Sequence, residues 1–327
     1  MKKILITDYV WPNIKPEAEI LEKSGFTPIV APDTSENTLM ELAHDVEGIM
    51  FCFADITSQI LENASNCKVA SRYGIGVDNI NISKATELGI VVTNVPDYCM
   101  DEVTDHALGM ILALNRRFLQ HTKKVVTDGW DSVSLNQSMH RTRGATLGIV
   151  GFGRIGQSLA KKCKAFGFNL IAYDPLLKVG ENIDGVKLVK FIELVKTSDF
   201  ISLHVPLIPE TQGMIGEKEL SIMKKGAILV NCARGGLIDE NALAKSIYNG
   251  HLSGAGLDVV EPTPPKPNNP LLKLDNVIIT PHTAFFSQAS TLELEKRTAN
   301  EVIRVINGNN PENWINPEVS GKSRAGI

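Results

Sequence analysis

The chain has 327 residues, 43% of them apolar and 21% charged, with a formal net charge of −4. That length allows two domains with full hydrophobic cores, and the balance is that of a soluble globular protein. The slight negative charge excludes a basic face for nucleic acid, and no apolar stretch reaches membrane-spanning length.

The opening Met1-Lys2-Lys3-Ile4-Leu5-Ile6-Thr7-Asp8 turns polar too soon for a signal peptide and reads as a first strand. Short apolar runs predict strands over 3–7, 28–31, 48–51, 68–72 and 91–94, with helices between them over 15–24, 38–44 and 58–63. Strands alternating with helices imply a parallel sheet covered on both faces. A long helix is expected over 101–117, from Val103, Ala107, Met110, Ile111 and Leu114 at helical spacing. The polar stretch 130–143 reads as a surface connection. A second alternating block follows, with strands expected over 146–150, 170–173, 200–204, 227–232, 254–259 and 277–280. The proline-rich stretch 261–270 is a loop, because proline is barred from central strands. An amphipathic helix over 290–306 stops at Asn307-Gly308-Asn309-Asn310-Pro311. The second block already has six strands, so this helix is expected to return to the first, making that domain discontinuous. The five cysteines, Cys52, Cys67, Cys99, Cys163 and Cys232, are scattered and odd in number. They fit free thiols in a reducing cytoplasm, and no metal site is expected.

The most informative segment is Gly151-Phe152-Gly153-Arg154-Ile155-Gly156, which ends the strand at 146–150 and opens a helix through 157–166. The first glycine permits a tight turn, the second lets backbone approach a pyrophosphate, and the third lets helix and strand pack closely. The free amides of the helix N-terminus, including those of Arg154 and Ile155, suit the phosphates. The next strand ends at Asp174, placed to accept hydrogen bonds from ribose hydroxyls. Asp174 would repel a ribose phosphate, and Pro175-Leu176-Leu177 supply no arginine, so the expected cofactor is NAD rather than NADP.

Three further groups fall at strand ends of this block, the edge where doubly wound sheets bind ligands. They are Asn231-Cys232-Ala233-Arg234-Gly235-Gly236, Asp258, and His282 after Thr280-Pro281. An arginine can bind a carboxylate with two parallel hydrogen bonds. A histidine can exchange the hydroxyl proton as hydride moves, and an acid can fix its tautomer. Together these suit reduction of a 2-keto acid, although each residue alone fits a turn, a cap or a loop hydrogen bond. His204, before Val205-Pro206, fits a structural histidine or a cofactor contact equally. In the first block, Arg72-Tyr73-Gly74-Ile75-Gly76-Val77-Asp78-Asn79 is a glycine loop after a strand. It reads either as a plain turn or as an anion-binding nest.

With these motifs in order, the chain resembles a D-2-hydroxyacid dehydrogenase from end to end. Within that family, Pro96-Asp97-Tyr98-Cys99 and Ala284-Phe285-Phe286-Ser287 resemble the C-terminal-binding-protein-like and phosphoglycerate-dehydrogenase-like branch. The resemblance implies an α/β fold: a doubly wound Rossmann cofactor domain, 101–286, inserted in a discontinuous flavodoxin-like substrate domain, 1–100 plus 287–327. It implies a homodimer clasped through the helix near Asp101. It assigns Arg234 to the keto acid, His282 to acid/base work, and the backbone of Gly74, Ile75 and Gly76 to the substrate carboxylate. His204, Val205, Pro206, Cys232, Ala233 and Asp258 would join the glycine turn in holding NAD, with Asp258 and the Cys232 carbonyl orienting the carboxamide.

Two departures stand out. Thr263 occupies the place where the family usually has the histidine's carboxylate partner, and threonine brings no charge to raise an imidazole pKa. Either Glu261, two residues earlier, reaches in, or the enzyme is tuned differently, or activity is lost. In the last case the chain would be an NAD(H)-sensing dimeric binding protein. The second departure is Met50-Phe51-Cys52-Phe53-Ala54-Asp55, where phosphoglycerate-using relatives carry a phosphate-binding arginine. No basic residue stands there. Phe51 and Phe53 supply an apolar wall or core packing, and a small non-phosphorylated keto acid is favoured.

Overall fold

The computed structural model describes residues 2–130 and 139–327. The chain divides into two compact units, Met1–Tyr98 with Ser287–Ile327, and Cys99–Phe286. In the first unit, strands β1 (Lys2–Ile6), β2 (Phe26–Val30), β3 (Gly48–Phe51), β4 (Val69–Arg72) and β5 (Val91–Thr93) alternate with helices α1 (Lys15–Lys23), α2 (Glu36–Ala43), α3 (Ser58–Asn63) and α4 (Ile82–Glu87). All strand pairs are parallel, in the order β2-β1-β3-β4-β5, the flavodoxin-like order. Strands β3 and β4 are buried at every residue, which is why they read as continuous runs rather than alternating ones. Pro28 lies in β2, at the sheet edge, where its missing N–H is tolerated.

The second unit opens with α5 (Met100–Asn115) and α6 (Phe118–Asp128). Then follow β6 (Thr146–Val150), α7 (Arg154–Lys164), β7 (Asn169–Tyr173), β8 (Asn182–Ile183), β9 (Val186–Leu188), α8 (Phe191–Thr197), β10 (Phe200–Leu203), α9 (Glu217–Ile222), β11 (Ile228–Asn231), α10 (Glu240–Tyr248), β12 (Gly254–Leu257) and β13 (Val277–Ile279). The sheet order is β13-β12-β11-β10-β6-β7-β9-β8, parallel except for the β8–β9 hairpin. This is a Rossmann-type doubly wound sheet whose strand order reverses between β6 and β10, the switch point where such sheets bind ligands. Its eight strands correct the expected six. The extra pair turns at Asp184-Gly185, both with positive φ, the dipeptide a two-residue hairpin favours. Helix α5 lies against α7, β11 and β12. It sits so close that a Cβ on Gly256 would meet the Met110 sulfur at 2.8 Å.

The expected single helix over 101–117 ends at Asn115, and α6 starts after Arg117, which takes a left-handed φ of 54°. Of the connection expected over 130–143, residues 131–138 lie outside the described residues. The last helix, α11 (Gln288–Ile306), belongs to the first unit and packs on α1, β3 and β4. Among the described residues no helix is long and apolar enough to cross a membrane.

Candidate active site

The glycine turn follows β6 directly and leads into α7. Gly151 has φ +91°, and a Cβ there would lie 2.5 Å from the carbonyl oxygen of His204. A Cβ on Gly156 would lie 2.2 Å from the carbonyl oxygen of Gly151, so only glycine allows helix and turn to close up. Gly153 opens on empty space and caps α7 with no side-chain hydrogen bond. The amides of the first helical turn are therefore presented outward, with Arg154 exposed beside them. At the end of β7, Asp174 accepts the Phe152 amide on one oxygen (2.9 Å) and the Leu176 amide on the other (3.0 Å). A roomy glycine turn, an uncapped helix start and a half-buried acid beside it fit a dinucleotide. On the β10 side, the His204 Nε2 lies 2.8 Å from Ser202 Oγ. Burial lowers the His204 pKa to about 4, so the ring stays neutral. Val205 is buried and Pro206 exposed.

The edge formed by β11, β12 and β13 carries the chemistry-bearing residues. Asn231 is fully buried; its side chain donates to the Arg234 carbonyl (2.8 Å) and accepts the Ala233 amide (3.0 Å). Arg234 Nη1 donates to the Ala233 carbonyl at 2.8 Å, which tethers one corner of the guanidinium. A Cβ on Gly235 would meet the Val260 carbonyl carbon at 2.4 Å, so the two strand-end loops touch backbone to backbone. Cys232 is half-buried, and its thiol pKa is raised by burial and by nearby Asp258, leaving it a poor nucleophile.

Asp258 is 1% exposed. Its Oδ1 accepts the Thr280 hydroxyl (2.5 Å) and the Thr283 amide (2.9 Å), and its Oδ2 accepts the Ala284 amide (2.9 Å). Its carbonyl accepts the His282 amide at 2.8 Å. His282 has φ 54°, a left-handed conformation costing a non-glycine residue about 1–3 kcal/mol. Asp258 thus clamps the loop on both sides of that histidine. Glu261 is exposed, and its amide donates to Glu240 Oε1 at 2.7 Å. The Thr263 hydroxyl donates to the Val260 carbonyl at 2.7 Å.

The first unit holds two backbone loops of anion-binding type. Gly74 has φ +144°, and the Asn94 side chain donates to the Ile75 carbonyl at 2.7 Å. Among the described residues, the amides of Ile75 and Gly76 donate to no protein acceptor. The other loop is already filled: the Asp8 carboxylate accepts the amides of Cys52 (2.9 Å), Phe53 (2.6 Å) and Ala54 (3.2 Å). Phe51 is fully buried whereas Phe53 is 41% exposed, so the first is core and the second surface. Arg72 is 7% exposed, and its guanidinium carbon lies 5.9 Å from the Phe51 ring centre and 5.7 Å from that of Phe53.

The family model for the D-isomer specific 2-hydroxyacid dehydrogenase, NAD binding domain, matches residues 108–284. The chain belongs to this family. A D-3-phosphoglycerate dehydrogenase from Methanocaldococcus jannaschii is 42% identical over 323 residues, 97% of this chain. The chain spans 60% of that relative's length. A glyoxylate reductase from Thermococcus litoralis is 41% identical, with 86% of this chain and 87% of the relative covered. Among solved structures, the TT0316 protein from Thermus thermophilus superposes with a TM-score of 0.88 at 31% identity, covering 96% of this chain and 99% of that one. The glycine turn, Asp174, His204, Arg234, Asp258 and His282 all fall inside the NAD-binding span of this family member. Asn231 and Asp8, which organise two of the loops, were not singled out from sequence. Asn231 lay inside a recognised motif, but Asp8 lies 44 residues from its first partner and leaves no local signal.

Proposed function

We propose that the chain is an NAD-dependent D-2-hydroxyacid dehydrogenase that reduces a small, non-phosphorylated 2-keto acid. The observation that carries the substrate class is the contrast between the two loops of the first unit. The amides of Ile75 and Gly76 are open to a carboxylate, whereas those of Cys52, Phe53 and Ala54 are occupied by Asp8. A substrate phosphate would meet a filled nest, the Asp55 carboxylate and the exposed ring of Phe53. Arg72, whose guanidinium lies against the Phe51 and Phe53 rings of that loop, is buried.

Gly151, Gly153 and Gly156, the first turn of α7 and Asp174 hold the dinucleotide. Bound there, NADH would supply a hydride to the keto carbon. Arg234 pairs with the substrate carboxylate and polarises the keto oxygen, a charge-assisted role that guanidinium geometry suits. His282 gives its proton to that oxygen as negative charge develops there. Asn231 and Asp258 keep both groups aimed by fixing the backbone that carries them. The working form is a homodimer in a reducing cytoplasm. Its five cysteines are free thiols, and α6 offers the exposed apolar side chains Phe118, Leu119 and Val126, followed by Trp130.

Arg234→Ala tests the assignment. Turnover should fall at least about a hundredfold, in line with loss of a charged transition-state contact, with NADH affinity within a factor of about two. Retained turnover would refute the role of Arg234. Tight NADH binding by a wild-type chain with no turnover on any keto acid would favour a dinucleotide-sensing protein instead.

A further inference from the structure

One histidine outside the proposed machinery is joined to it by a short polar chain. His106, on α5, places its Nε2 at 2.9 Å from Thr280 Oγ1 and at 3.6 Å from Asp258 Oδ1. The Thr280 hydroxyl in turn donates to Asp258 Oδ1 at 2.5 Å. A threonine hydroxyl has one proton and two lone pairs. That proton is committed to Asp258, so Thr280 can only accept from His106. His106 must therefore carry a proton on Nε2, and the contacts run one way, from His106 to Thr280 to Asp258.

The end of the relay is the residue that holds the His282 loop. Asp258 accepts the amides of Thr283 and Ala284 through its carboxylate and that of His282 through its carbonyl. His282 sits between Thr280 and Thr283, both bonded to Asp258, in a left-handed conformation uncommon for a non-glycine residue. Donors chained onto one acceptor polarise each other, and buried networks of this kind fix geometry when every member is satisfied. Helix α5 is pressed against β12 where Met110 meets Gly256, so the imidazole is delivered from a rigid support.

We propose that His106 is a positioning residue: as an Nε2–H donor to Thr280 it completes a relay to Asp258 that holds the His282 loop in its working conformation. The catalytic consequence rests on the dehydrogenase reading above, whereas the relay itself does not. His106 touches neither cofactor nor substrate in this scheme and acts through Thr280 and Asp258.

Two measurements test it. In the full-length protein with 15N-labelled histidine, long-range 1H–15N correlations report the His106 tautomer, with the resonance assigned by its loss in His106→Gln. Protonation at Nε2 is expected, and a neutral ring protonated only at Nδ1 overturns the relay. In steady-state kinetics, His106→Leu should lower kcat about tenfold or more, as small misplacements of a reacting group do, with NADH affinity within about twofold. His106→Gln, whose amide donates from a similar reach, should recover most of that loss. Thr280→Val should match His106→Leu, and the double variant should be no worse than either single one, because both cut the same chain. Additive losses, or a glutamine variant as slow as leucine, overturn the proposal. A wild-type chain without turnover contradicts the dehydrogenase reading and leaves the tautomer to decide the relay.

Discussion

Asp174 and Asp8 are both carboxylates that accept backbone amides in a loop, yet only one was legible in the sequence. Asp174 ends the strand after a glycine turn, where a fixed motif order marks it. Asp8 follows β1 and reaches across to residues 52–54, a pairing that only the parallel β1–β3 register brings about. Its three amide contacts carry a prediction. Asp8→Ala strips a charged acceptor from three backbone amides and the Thr7 hydroxyl and should cost about 1.5–3 kcal/mol in a urea titration, by the usual worth of hydrogen bonds to charged groups. A loss below about 0.5 kcal/mol, the range of an ordinary surface substitution, would mean that solvent replaces Asp8 without penalty. Chain spacing made Glu261 the nearest acid to the motif, but its side chain is exposed and the Thr263 hydroxyl turns back to Val260.

Elements with a full hydrophobic period were read closely: β6, α3 and the C-terminal end of α11 match their expected limits. Elements that are short or only half used were not. The β8–β9 hairpin has strands of two and three residues, too short for periodicity, although Asp184-Gly185 was a usable signal. Helix α6 buries none of its residues, so no core demand distinguished it from a continuation of α5. The packing of α11 on α1 brings a consequence that periodicity could not show. Glu17 and Glu295 are both buried in the first unit, and Glu17 Oε1 accepts from the Trp11 ring N–H and the Tyr73 hydroxyl, each at 3.3 Å. Burial, reinforced by Glu17, raises the Glu295 pKa from 4.5 to about 7. Between those values Glu295 is protonated when folded and ionised when unfolded. Its contribution is therefore full below pH 4.5 and lost as pH climbs through 7. At about 1.4 kcal/mol per pKa unit the loss is at most about 3.5 kcal/mol. Glu295→Gln should leave Tm near wild type at pH 4.5 and raise it by several degrees at pH 8, at about 2–4 °C per kcal/mol. An offset that does not change with pH would show that Glu295 does not titrate in this way.

At the scale of the whole molecule, the α/β class, the Rossmann sheet and the family were all legible, because ordered motifs spread over most of the chain agree with one another. The identity of the substrate was not, because which amides remain open depends on long-range partners such as Asp8. Self-association is the remaining property of this scale. Phe118, Leu119, Val126 and Trp130 are 58%, 51%, 79% and 82% exposed, and the proposed dimer would cover them. Sedimentation of the wild type should give a dimer, and Phe118→Glu combined with Val126→Glu should give a monomer. A monomeric wild type would remove the assignment. The most direct test of the central claim is NADH oxidation by the purified chain against glyoxylate, pyruvate, hydroxypyruvate, branched and thioether keto acids, and phosphohydroxypyruvate, from pH 5.5 to 8.5. Turnover of one or more unphosphorylated acids, with phosphohydroxypyruvate at least about tenfold poorer in kcat/KM, is the predicted result. Preference for the phosphorylated acid, or no turnover of any, would contradict it.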